Sequence, residues 1–347
     1  MSAPFSQWMD GTGPESDIVL SSRIRLARNL ANMPFPHRMT EEQGEAMLGQ
    51  VQSSISALDS GWRIAFRRLS ELTPLERQVL KEKHLASPLL VQDPIRFEAV
   101  AVDDREDISI MVNEEDHLRL QVLLPGLQLD EAWQVANRLD DMLERQLDYA
   151  CDETRGYLTA WPTNLGTGMR ASVMLHLPAL MMTRQAQQVF TTLAQVGIVV
   201  RGLYGEGSEA RGNIFQISNQ VSLGLTEEEL THNLTVVAQQ IVGRERNARE
   251  HLKNHAELQL SDRVGRAWGI LTNARVMTSD EALTLLSDVK LGADLGLIEN
   301  PLPYGFAQLT LMTRPSFLQE EAGRDLNPDE RDEIRARTLR DHLLGKD

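Results

Sequence analysis

The stretch that most constrains the fold is residues 98–113, EAVAVDDREDISIMVN, where two alternating apolar runs flank a charged turn. Period-two alternation belongs to strands, and two such runs around a short polar turn predict an antiparallel hairpin. Strand-like runs recur at 18–30 (IVLSSRIRLARNL, ending polar and basic), 118–126, 171–177, 198–205 and within 213–224. Helical spacing marks 41–59, 73–84, 129–149 and 183–195. Thr73-Pro74 with Glu76 supplies a helix start, and Thr226 with Glu229 a capping box for a long helix reaching about residue 250. Residues 1–250 therefore predict an α+β unit, an antiparallel sheet flanked by helices. From 251 to 347 the patterns are mainly helical (262–272, 279–291, 328–344), which predicts a smaller C-terminal helical domain.

A chain of 347 residues has room for both. No stretch reaches the ~18–20 uninterrupted apolar residues of a membrane span, and the N-terminus lacks the basic-then-apolar order of a secretion signal. Cys151 is the single cysteine, so an intrachain disulfide and a Cys-rich zinc site are excluded. These features predict a cytoplasmic protein. A net charge of -15 disfavours nucleic acid, whose binding needs phosphates neutralised by Lys and Arg, and favours basic partners.

Motifs narrow the chemistry. GxxxxGK[ST], GxSxG, HExxH and CxxC are all absent. His251 and His255 have helical i,i+4 spacing but lie in a charged helix, where a solvated surface pair is expected. Arginines stand instead beside strand ends: Arg23 and Arg25 in SSRIR, Arg119 after NEEDH, Arg170 after TNLGTG, and Arg201 before GLYGE. Gathering them costs repulsion unless a polyanion receives them, and the guanidinium fork suits phosphate oxygens. Two carboxylate groups accompany them, Glu114-Glu115-Asp116 and Glu206 with Glu209. Jointly they suggest a phosphoryl-transfer site without a P-loop, its acids facing a cationic acceptor.

SSRIR (21–25), NEEDHLR (113–119), PTNLGTGMRAS (162–172) and RGLYGEGSE (201–209), in this order, resemble the phosphagen kinase family of creatine and arginine kinases. Three features resemble its bacterial McsB-type branch, the protein arginine kinases. The chain starts twenty residues before SSRIR, so the helical domain that closes over a small guanidino substrate is expected to be missing. Met174 stands where metabolite kinases usually carry His. RDEIRA (331–336) is similar to that branch's phosphoarginine-binding motif.

The resemblance implies ATP and Mg²⁺ as cofactors and transfer of the γ-phosphate to arginine in proteins. It implies ATP binding by Ser21, Ser22, Arg23, Ile24 and Arg25, all but Ile24 on the phosphates, with Arg119, Arg170 and Arg201 completing the cradle. Nucleotide is then lined by Ala171, Ser172, Val173 and Met174 and by Gly202, Leu203, Tyr204, Gly205 and Glu206, with His84 packing on adenine. Glu115, with Asp116 beside it, and Glu206 become the catalytic acids, and Arg331, Asp332 and Arg335 an allosteric phosphoarginine pocket. A homodimer, an activating zinc-binding partner and delivery of marked proteins to a Clp protease are implied as well. One departure is Trp161, where the family usually has Cys. Either the thiolate is dispensable here or the indole offers a cation–π contact; Cys151 reads as a packing residue. Two alternatives stand beside this reading, a metabolic kinase of free arginine and a non-catalytic phosphoarginine-binding regulator.

Overall fold

A computed structural model describes residues 5–58, 61–92, 97–202, 211–298 and 302–346. In chain order, β1 (Val19–Arg28) precedes α1 (Glu41–Ser56), β2 (Ile64–Arg68), α2 (Pro74–Glu82) and α3 (Pro88–Gln92). The predicted hairpin is β3 (Ala99–Asp103) and β4 (Ile108–Val112), followed by β5 (Leu118–Pro125) and α4 (Leu129–Glu144). A two-residue ribbon, β6 (Cys151–Asp152) and β7 (Gly156–Tyr157), leads to β8 (Met169–His176), α5 (Pro178–Met182), α6 (Ala186–Gln195), β9 (Ile198–Gly202) and β10 (Ile214–Asn219). The long helix α7 (Glu227–His255) runs past residue 250 and breaks at Ala256. Five helices follow: α8 (Glu257–Asn273), α9 (Ser279–Asp294), α10 (Phe306–Met312), α11 (Pro315–Ala322) and α12 (Pro328–Leu343).

Eight strands form one sheet in the order β2-β3-β4-β5-β1-β8-β10-β9. Every neighbouring pair is antiparallel. Side chains alternate between the faces of a strand, so this register sorts the residues. Ile24, Leu26, Leu120, Val122, Ala171 and Val173 share one face and are buried against α1, α4, α6 and α7. Arg23, Arg25, Gln121, Arg170 and Ser172 share the other.

That second face is apolar at one end. Leu123, Ile214 and the half-buried Met174 pack there against Trp8 and Met9 and against α8–α12. His176 at the end of β8 joins in, its Nε2 2.8 Å from Ser287 Oγ on α9. At the other edge α2 and α3 lie over Val100 and Met111. An open trough remains between the two coverings, and it holds the arginines.

Arg28 differs from Arg23 and Arg25 in strand parity. It points to the helix face, 1% exposed, and meets Asp140 of α4 at 2.6 Å while Tyr157 covers its guanidinium at 3.5 Å. Breaking a buried ion pair from one side costs about 3–5 kcal/mol, because a charge is left unpaired. Asp140→Ala is therefore expected to lose stability on that scale in urea denaturation. An Arg28→Met/Asp140→Leu double variant should recover most of it.

Candidate active site

The 113–117 turn joins β4 to β5. Asn113, at φ +60, donates its N–H to the His117 carbonyl at 2.9 Å, and Asn113 Nδ2 donates to the Phe97 carbonyl at 2.8 Å. Below the tip, Asp116 is 1% exposed and accepts from Asn29 Nδ2 and Ala160 N, both at 2.7 Å. His117 accepts the Leu30 N–H at Nδ1 and faces the Pro34 carbonyl with Nε2. Burial lowers its pKa, as expected for a neutral ring held this way. The residues that anchor the turn thus point inward, and Glu114 and Glu115 point to the trough. The structure brings Glu115 to the cleft and leaves Asp116 beneath it, fixing the segment that carries Trp161.

Arg119, two residues past the turn, bridges both acids: Nη1 lies 2.7 Å from Glu114 and Nη2 2.7 Å from Glu115. Burial opposes its charge, but the two carboxylates outweigh burial and raise its pKa. Arg23 donates to Ser172 Oγ at 3.2 Å and Gln216 Oε1 at 2.6 Å, and Arg170 to Ser218 Oγ at 3.1 Å. Arg25 sits directly opposite Arg170 in the β1–β8 register, two cations on one rung. Its Nε is buried with no hydrogen-bond partner among the described residues. Burial first, then Arg23, Arg119 and Arg170, push the Arg25 pKa well down. Burial, Arg170 and Arg119 bring Arg23 to about 10. A cluster so desolvated and self-repelling, with a buried donor still unused, fits a polyanion.

Two cavities that share lining residues surround it. One, about 320 Å³, is lined by Arg25, Glu115, Arg119, Trp161, Arg170 and Arg201, among others. The other, about 490 Å³, shares Arg25 and Arg201 and extends past Arg23, His84, Met111 and Met174. His84 lies at φ +61 between Trp8, 5.8 Å away, and the trough, and its carbonyl accepts from Gln121 Nε2. Burial, aided by Arg23 and Arg314, takes its pKa to about 3, so the ring is neutral. Trp161 is 56% exposed and lines the smaller cavity together with Glu115.

The 161–168 loop closes that wall. Arg28 Nη1 donates to the Thr167 carbonyl at 2.9 Å, tying the loop to the buried pair on the sheet's far side. Gly168 has φ +65, and a Cβ there would lie 2.7 Å from the Ala27 carbonyl oxygen, so no side chain fits.

Other expected site residues are distributed by parity. Ser22, Ile24, Ala171 and Val173 turn their side chains to the core face; Ser22 Oγ donates to the Gly126 carbonyl and accepts the Gln128 N–H. Ser21 is buried beside the irregularity in β1. Gly202 ends β9 and lines the larger cavity, whereas Leu203, Tyr204, Gly205, Glu206 and Glu209 lie outside the described residues. In α12, Arg335 is 2% exposed: Nε donates to the Thr313 carbonyl at 2.7 Å, Nη1 to the Met277 carbonyl at 2.8 Å, and it pairs with Asp332. Arg331 is half-buried on the same helix. Cys151, expected to pack, is exposed, because the β6–β7 ribbon stands outside the main sheet. His251 and His255 stack with ring centres 4.4 Å apart on exposed helix surface. The sequence reading missed Gln216 and Ser218, which orient the arginines, and Arg28; strand parity was the available signal for Arg28.

Acids and clustered arginines on one open sheet face define a phosphoryl-transfer enzyme that neutralises phosphate without a P-loop. Residues 46–248 match the family model of the ATP:guanido phosphotransferase C-terminal catalytic domain, and residues 257–347 that of the protein-arginine kinase McsB C-terminal domain. A protein-arginine kinase of Desulforamulus reducens is 53% identical over 99% of this chain and 97% of its own length. Another, of Brevibacillus brevis, is 52% identical over 99% and 96%. The fold is that of the duplicated taurocyamine kinase of Schistosoma mansoni, with a TM-score of 0.62 at 24% identity over 70% of this chain and 34% of that one. The chain belongs to the ATP:guanido phosphotransferase family.

A cluster held apart by its own repulsion gains most from nucleotide. Saturating ATP at 100 times Kd is expected to stabilise the protein by about 2.7 kcal/mol. Arg25→Met should melt no lower than the parent without nucleotide and lose most of the ATP-induced rise in Tm. A large drop in melting temperature without nucleotide would contradict this account.

Proposed function

We propose that the chain is a protein arginine kinase, transferring the γ-phosphate of ATP to the guanidinium of arginine residues in other proteins. The observation that carries this is Glu115 lining the same cavity as Arg25, Arg119, Arg170, Arg201 and the exposed indole of Trp161. Arg23, Arg25, Arg119, Arg170 and Arg201 would hold the phosphates. A guanidinium with a pKa above about 12 is a poor nucleophile until a base takes its proton. Glu115 is placed to orient the attacking nitrogen and accept that proton as the N–P bond forms and the bond from the γ-phosphorus to the ADP oxygen breaks. Before that step, on nucleotide binding, Arg119 would move from Glu115 onto phosphate, with Glu114 keeping its other nitrogen. Between guanidinium and carboxylate, Trp161 offers a π-face for the incoming cation.

Mg²⁺ would supply charge neutralisation between phosphate oxygens. The open trough supports a substrate presented on a polypeptide, and the relatives named protein-arginine kinase support the same choice. No described helix is long and apolar enough to cross a membrane. The finer expectations remain part of the proposal: two units dividing near residue 250, a cytoplasmic homodimer, an activating zinc-binding partner, and delivery of marked proteins to a Clp protease. So does Glu206 as second acid. In α12, Arg331 and the exposed edge of Asp332 would meet a phosphoarginine, with Arg335 holding the helix in place.

The test offers ATP and Mg²⁺ with an unfolded basic protein or with free arginine. Acid-labile, base-stable phosphate on the protein is expected; label on free arginine alone would point to a metabolic kinase. Glu115→Gln should lower transfer by about 10²–10⁴-fold, the usual worth of a general base, while keeping the ATP-induced rise in Tm. Near-parental turnover would exclude the role.

A further inference from the structure

Four large apolar side chains that stay exposed fall on two segments that touch each other. Trp161 opens the 161–168 loop, whose Trp161, Thr163 and Asn164 line the smaller cavity together with Glu115. Val221, Leu223 and Leu225 lie on the turn between β10 and α7 and are 49%, 57% and 39% exposed. Ser222, fully buried within that turn, fastens it to the loop. Its Oγ donates to the Leu165 carbonyl at 2.8 Å and lies 3.5 Å from that of Thr163. The backbones approach closely as well: a Cβ on Gly166, at φ +97, would lie 3.0 Å from the Leu223 Cα.

The other end of the turn's anchorage is Asn219, the last residue of β10. Its Nδ2 donates to the Val221 carbonyl at 3.1 Å and to the Met169 carbonyl at 3.2 Å, and its Oδ1 accepts the Ala171 N–H at 2.9 Å. The turn is therefore tied to the stretch of β8 that carries Arg170, just past Ser218, which orients that arginine. Burying a serine while Val221 and Leu223 meet water inverts the usual partition of side chains. Hydrogen bonds hold the inversion in place. Apolar side chains held out in this way, continuous with the lining of a cavity, are what a docking surface requires.

Position and charge identify the occupant. A polypeptide that presents one arginine to Glu115 must lay the neighbouring residues on the cavity's surroundings, and the loop and turn are part of them. Neither 161–169 nor 212–243 contains a Lys or Arg, whereas Glu227, Glu228 and Glu229 come directly after Leu225 and Thr226. Such a surface suits a segment that is both cationic and apolar, and offers no counter-charge to an anionic one. We propose that the 221–225 turn, with Trp161, is a docking surface for the substrate polypeptide, seating apolar side chains close in sequence to the target arginine. Val221 and Leu223 are then specificity-determining residues, and the substrate class is an arginine flanked by apolar residues. This rests on the protein-kinase reading of the same cavity.

The experiment uses the full chain and two peptides with one arginine each, flanked on both sides by leucines in one and by serines in the other. The parent's kcat/KM is expected to be about tenfold higher for the leucine peptide, mostly through KM, the scale of removing one leucine side chain from water. Val221→Ser/Leu223→Ser should bring the leucine peptide down to the level of the serine peptide. Turnover of the serine peptide, the KM for ATP and the melting temperature should stay at parental values. Val221→Ile/Leu223→Met should keep the preference. Equal kcat/KM for the two peptides in the parent would overturn the proposal, as would a preference that survives in the serine double variant. Equal losses on both peptides with a lowered melting temperature would also overturn it, marking the turn as structural. If light scattering shows a lower molecular mass for the double variant than for the parent, the face joins copies of this chain and the proposal falls. Phosphate on neither peptide, with ATP still bound, would instead remove the protein-kinase reading on which this one stands.

Discussion

Everything at the site depends on the pleat of β1, the central strand. Neighbouring side chains in a strand leave on opposite faces, so SSRIRLAR sends Arg23 and Arg25 to the trough and Ile24 and Leu26 to the core. Arg28, of the opposite parity, reaches Asp140 on the helix side. One strand therefore supplies cations to the trough, core packing and the buried ion pair that holds the loop closing the site. A slip of one residue in register would invert all three at once.

The same logic explains how a cation cluster can be built in an acidic chain. Three of the arginines are oriented by side chains around them: Gln216 and Ser172 for Arg23, Ser218 for Arg170, and two acids at once for Arg119. Neutral partners such as Gln216 and Ser172 orient a guanidinium without cancelling its charge. The cost is visible in the depressed pKa values of Arg23 and Arg25. The fold bears that cost because the far side of the sheet packs densely against four helices.

The C-terminal helices contribute in a second way. They bury the apolar end of the trough face, where Leu123 and Ile214 would otherwise meet water. In covering it they bring the α10–α11 corner over the larger cavity. The Arg335 hydrogen bonds to Thr313 and Met277 tie α12 to that corner. Part of the RDEIRA motif is thus internal framework, and only its outer edge remains open to a ligand.

Most of the strands and long helices were legible in the sequence, because alternation and helical spacing with caps at Thr73 and Thr226 are local signals. The helix expected to 149 stops at Glu144, and that expected from 183 begins at Ala186 as α6, with a separate short helix, α5, before it. α5 is short and is held by Glu245, a residue more than sixty positions away that accepts the Ala179 and Leu180 N–H groups. β2, α3, α10 and α11 escaped notice because each is too short for a periodic pattern to show. The motifs determined the chemistry, since arginines and paired acids beside strand ends already pointed to phosphoryl transfer. Only the tertiary structure decided which side chains share the cleft. It separated Glu115 from Asp116 across one turn, gave Arg28 to the helix face, and placed Arg314 beside His84 from 230 positions away in sequence. Sheet register and helix docking are long-range, and no local pattern carries them.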